Sequence, residues 1–161
     1  MRFQYLFFGL FVLFMVSCSD DDGDGGGEST GVEFAGSWQI TAITVSSAID
    51  INNDGVTSTN LLDEADCLMG TLQLNSDFTF TASTVTIELL TAITGNLYAL
   101  TCSDLQNTNG NWGVQAGQLF LVSGTSRPFT ISGTNQLTEL LGNDLPGIQS
   151  VVYTRLDPVT Q

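Results

Sequence analysis

The sequence predicts an all-β fold, an antiparallel up-and-down barrel of about eight strands that follows a signal peptide and a disordered acidic linker. Three observations carry this. From Val32 onward apolar and polar residues alternate with period two, turn-forming residues recur about every ten positions, and no long stretch has a helical period. Eight to ten candidate strands fit into about 125 residues, with connections too short for parallel crossovers. A sheet of that length avoids exposed edges by closing, and about eight strands enclose just enough room for side chains or one small ligand.

The chain opens with "MRFQYLFFGLFVLFMVSC", in which Arg2 precedes an apolar core from Phe3 to Val16 broken only by Gln4 and Gly9. Residues 1–17 therefore read as a signal peptide. The core is shorter than the roughly 20 residues of a bilayer span, and no basic stop-transfer residue follows it. Small Ser17 before Cys18 resembles the cleavage box of bacterial lipoproteins, with Met15 in place of the more usual leucine. That resemblance implies acyl chains on Cys18, which becomes the membrane anchor. At about 0.8 kcal/mol per buried methylene, several chains hold a protein on a membrane almost permanently.

Residues 18–31 comprise this cysteine and an acidic, glycine-rich linker whose five carboxylates repel one another and whose small residues cannot form a core. In some Gram-negative lineages such an acidic stretch resembles a signal for export to the outer face of the outer membrane. The expected location is the outer membrane, lipid-anchored, with display on the cell surface. The alternative is a cleaved secretory signal followed by an ordinary disordered tail.

The barrel domain is expected over residues 32–157. Its first strand is Trp38 to Val45, and "NLLDEADC" is the one helical candidate, with Asn60 as its cap. In "TLQLN" the inward residues are Leu72 and Leu74, in "FTFTAS" Phe78, Phe80 and Ala82, and in "VTIEL" Val85, Ile87 and Leu89. Further strands are expected at Leu97 to Thr101, Asn111 to Gln115, Gln118 to Val122, Pro128 to Ser132, Leu137 to Leu141 and Val151 to Leu156. Turns fall at Gly95 and Asn96, Asn109 and Gly110, Gly117, Gly124, Gly133 and Asn135, and "GNDLPG".

"GSW" at Gly36 to Trp38 opens the first strand as the G-x-W motif opens a lipocalin, and "VVYTRL" closes the last strand with Arg155. From about Phe34 to Leu156 the chain resembles the lipocalin-like domain of bacterial lipoproteins. "DINNDGVTSTNLL", Cys67, Cys102 and "GNW" before "QLFLV" add to the resemblance, while the T-D-Y motif of lipocalins is missing. The likeness implies that Arg155 packs across Trp38 and closes the bottom of the barrel, a contact worth about 0.5 to 2 kcal/mol. It also implies a ligand inside, lined by Phe78, Phe80, Val85, Ile87, Phe129 and Ile131. Those residues could equally fill the barrel. With Cys18 acylated, Cys67 and Cys102 remain, and an exported domain meets an oxidising compartment where thiols pair.

"DINNDGVTS" matches the first half of a D-x-N-x-D-G calcium loop. Asp50, Asn52 and Asp54 would supply side-chain oxygens, Val56 a backbone carbonyl and Ser58 a ligand directly or through water. The twelfth position, where such a loop places a bidentate carboxylate, is Leu61, so Asp63 or Glu64 must substitute. The competing reading is an Asx-rich turn held by its own hydrogen bonds.

Seventeen acidic residues against three arginines repel phosphate backbones and exclude nucleic acid as a partner. With neither histidine nor lysine, the chain has no Ser-His-Asp triad, ordinary zinc site, P-loop or Schiff base, so no enzyme activity is expected. Asp63, Glu64 and Asp66 lie on a polar segment that reads as a solvated face. Two functions remain. One is a lipid-anchored module binding a small apolar or amphipathic ligand; the other is a solid scaffold whose loops meet a protein or glycan. Arg127, in "SRPF" at the start of a strand, is expected either to greet a carboxylate at a barrel mouth or simply to offset neighbouring negative charge.

Overall fold

The computed structural model describes residues 31–91, 98–144 and 147–156. The predicted signal peptide, Cys18, the linker up to residue 30, and the predicted turn at Gly95 and Asn96 lie outside the described residues. Nine strands form one antiparallel sheet: β1 (Gly36–Ile49), β2 (Ser58–Asn60), β3 (Gly70–Leu74), β4 (Thr79–Thr91), β5 (Tyr98–Gln115), β6 (Gln118–Ser123), β7 (Thr125–Ser132), β8 (Gln136–Asp144) and β9 (Ile148–Arg155). β1 pairs with both β3 and β9, which closes an eight-stranded barrel, while short β2 lies outside against the upper half of β1. Single 3-10 turns at Val32–Phe34 and Leu61–Asp63 flank β1 and β2.

Three local expectations change. "FTFTAS" and "VTIEL" belong to one continuous strand, β4, and the predicted runs at 97–101 and 111–115 are the two ends of β5. Asn109 and Gly110 are therefore no turn; they pair with Thr81 and Phe80 in mid-strand. Glycine is required there by packing, since a Cβ on Gly110 would stand 2.1 Å from the Val122 carbonyl oxygen and 2.7 Å from the Phe80 ring. Phe78 sits in the turn before β4 with φ of 64°, so it leaves the inward row that Phe80 and Ala82 share. The helical candidate contracts to one 3-10 turn, capped as expected by Asn60, whose side-chain oxygen accepts from the Leu62 and Ile43 amides.

The core packs the barrel interior. Trp38, Phe129, Leu72, Leu74, Leu119 and Leu137 are fully buried there, which matches the alternation along β1, β3, β6, β7 and β8. A register shift between Ile40 and Ala42 resets the phase of β1, so that Ile40 and Ile43, three apart, both face inward. At the bottom the Arg155 guanidinium carbon lies 5.8 Å from the Trp38 ring centroid. Arg155 Nη1 and Nη2 donate to the Glu33 and Ala35 carbonyls at 2.7 and 2.6 Å, and Trp38 Nε1 donates to the Phe34 carbonyl at 3.1 Å. One arginine thus ties the entry of the chain, the first strand and the last into one closure. Gly36, with φ of 146°, makes room for it, because a Cβ would meet Nη2 at 3.2 Å.

Candidate functional site: the barrel mouth

β1 pairs with β3 only from Gly36 to Gln39, so the barrel wall parts above that point. The chain leading into β3 fills the gap: Leu61 and Leu68 are buried against β1, and Cys67 is bonded to Cys102 on β5, with Cα atoms 6.2 Å apart. A cavity of about 140 Å³ remains at this mouth. Its walls are apolar, from Ile40 and Ile43 on β1, Leu68 and Met69 before β3, Val85 on β4, Leu141 on β8 and Val151 on β9. Met69 and Leu141 are exposed and form its rim.

The charged side of the cavity is built by three adjacent strands, β7, β8 and β9, and Thr84 on β4 adds one further polar side chain to the lining. Arg127 on β7 donates through Nε to Glu139 Oε1 at 2.6 Å and through Nη2 to Oε2, a two-pronged pair with β8. Glu139 is 4% exposed, whereas the arginine side chain remains 44% exposed. The carboxylate is thus the desolvated partner, and removing Arg127 would strand it. Tyr153 on β9 stands beside the pair, and its ring packs edge-on against Phe129 with centroids 5.9 Å apart. Burial first, and the Glu139 charge second, hold the phenol up at about 12. The hydrogen bonds to Glu139 in turn raise the Arg127 pKa above its ordinary value.

Of the two roles expected of Arg127, the structure shows the second: it lines the mouth cavity and offsets the negative charge of Glu139. Of the six residues expected to line a ligand, Val85 lines this cavity. Phe80 and Phe129 belong to the packed interior, and Phe78 stacks outside on Trp112 with ring centroids 5.2 Å apart. Ile131 borders a broader cleft at the opposite end with Phe34 and Val114. The side chain of Ile87 lies outside the described residues; its backbone pairs with Cys102. Glu139 and Tyr153 were missed although their phase was legible: Glu139 shares its face with Leu137 and Leu141, and Tyr153 with Val151.

The segment expected to hold calcium is an Asx-rich turn. Asp50 Oδ2 accepts from the Gly55 amide at 3.0 Å, Asn52 Oδ1 from Asp54 at 2.9 Å and Asp54 Oδ1 from Val56 at 2.7 Å. Ser58 donates to Asp63, and Glu64, 5% exposed, accepts from the Ile51 amide. Among the described residues no three Cys, His, Asp or Glu side chains converge as metal ligands. Asp50 Oδ1 is nonetheless buried without a partner among those residues. Comparison with models of known protein families, with curated proteins and with solved structures yields no match.

Proposed function

We propose that this chain is a lipid-anchored binding module, held at the outer membrane through acyl chains on Cys18, whose barrel mouth receives a small amphipathic molecule. The observation that carries the reading is the mouth cavity itself. It combines an apolar wall with a convergent polar group, Arg127, Glu139 and Tyr153, which is the usual make-up of a small-ligand site. Its volume is well below the roughly 300 Å³ at which drug-sized sites begin, which limits the guest to a molecule of about the size of benzene. The test is native mass spectrometry of the protein from its native source, before and after mild organic extraction. A retained mass lost on extraction supports the module. A bare polypeptide mass in both states, together with no response to added small molecules, refutes it.

The solid lower barrel favours a second reading, in which the interior is scaffold and the loops at the mouth bind a protein or glycan. Capture of a surface partner that persists when the cavity is filled by Val151→Phe would establish that alternative. Calcium at the Asp50 turn is a further proposal, supported by the unpartnered, buried Asp50 Oδ1. A melting temperature unchanged between chelator and millimolar calcium would refute it.

A further inference from the structure

We infer that the mouth pocket selects neutral, benzene-sized molecules that carry one hydrogen-bond acceptor, and rejects carboxylates and amines. The inference rests on the ligand-binding reading above and names its substrate class. Size comes first: an apolar cavity of roughly 150 Å³ holds a benzene-sized guest, and this one is about 140 Å³.

Charge comes second. Glu139 is already neutralised by Arg127, so an ammonium entering the apolar cavity meets no net negative charge there to offset the loss of its hydration. An anionic guest would have to compete with Glu139 for the same guanidinium and leave that glutamate, 4% exposed, unpaired. It would also enter against a formal net charge of -14. A neutral guest avoids both costs.

The acceptor preference follows from the donors that remain. Arg127 uses Nε and one Nη2 hydrogen on Glu139, and its face lies 5.8 Å from the Phe129 ring centroid. Beyond Glu139 and the adjacent Tyr153 hydroxyl, the guanidinium has no polar partner among the described residues. A guanidinium has five N–H donors and no acceptor, so donors are left over on its exposed edge. A carbonyl, hydroxyl or ether oxygen entering at the rim formed by Met69 and Leu141 can take them.

The test is titration calorimetry of the full chain with four probes in about 0.15 M salt, which screens the long-range field. The probes are benzyl alcohol, toluene, benzoate and benzylamine. Benzyl alcohol is expected to bind, with toluene, benzoate and benzylamine each weaker by about tenfold or more, the worth of one charge-assisted hydrogen bond. Val151→Phe, which fills the cavity with a larger apolar side chain, is expected to abolish the benzyl alcohol signal while the chain keeps its cooperative melt. Benzoate or benzylamine binding as tightly as the alcohol would overturn the charge argument, and toluene matching it would overturn the acceptor argument. Binding of no probe would overturn the pocket reading itself, and alcohol binding unaffected by Val151→Phe would place the guest elsewhere.

Discussion

Replacing Cys67 and Cys102 together by serine is expected to destabilise the domain by about 4 kcal/mol, with little change in its native contacts. The bridge spans a sequence separation of 35 and joins the segment before β3 to the long β4–β5 hairpin. Cross-linking a loop of that length removes conformational freedom from the unfolded chain, and the chain-entropy relation gives about 3.8 kcal/mol at room temperature. For a domain of about 125 residues the unfolding entropy near the midpoint is about 0.26 kcal/mol/K, so the midpoint should fall by about 14 °C. Thermal and urea melts of parent and double variant measure this. The urea slope should also rise, because an uncrosslinked unfolded chain exposes more surface. A midpoint shift under about 4 °C with an unchanged urea slope would refute the reasoning. Full alkylation of both cysteines without prior reduction would refute the bridge itself.

Arg127→Leu should cost about 3 kcal/mol in urea melts, the low end for a broken buried pair because the arginine is half-exposed. The double change Arg127→Leu with Glu139→Leu should recover most of that loss; a single variant as stable as the parent would remove Glu139 from the buried set. Tyr153, with its pKa raised from 10 to about 12, stays neutral while the unfolded chain ionises. The stability it contributes is therefore complete below pH 10 and is lost between pH 10 and 12, by about 2 to 3 kcal/mol. A phenolate absorbance titration should show a step near pH 12 that disappears in Tyr153→Phe; a step near pH 10 alone would contradict the burial. Gly110→Ala should cost about 1 to 3 kcal/mol by overpacking, since its Cβ would strike the Val122 carbonyl, and a neutral outcome in melts would show that β5 and β6 can part there.

Period-two alternation by itself determined the barrel class and most of its interior, because a half-buried strand must send successive side chains to opposite faces. Leu72, Leu74, Phe80 and Ala82 were legible in this way and are buried. The closure at the bottom was implied by the lipocalin resemblance and not by alternation; Trp38 and Arg155 do fall opposite each other, because the first and last strands of a closed sheet are neighbours. Strand ends were less legible. Asn109 and Gly110 carry a turn signal, yet the same glycine also serves close backbone approach, and only the neighbouring Val122 and Phe80 distinguish the two.

The site was decided by tertiary structure. Arg127, Glu139 and Tyr153 lie on three strands, and what brings them together is the register of β7 on β8 and of β8 on β9, a long-range property that no local pattern contains. The cavity beside them depends on two further long-range facts, the early parting of β1 from β3 and the disulfide that fixes the intervening segment. Local sequence specifies which way a side chain points. Which side chains then meet is set by how strands far apart in the chain align.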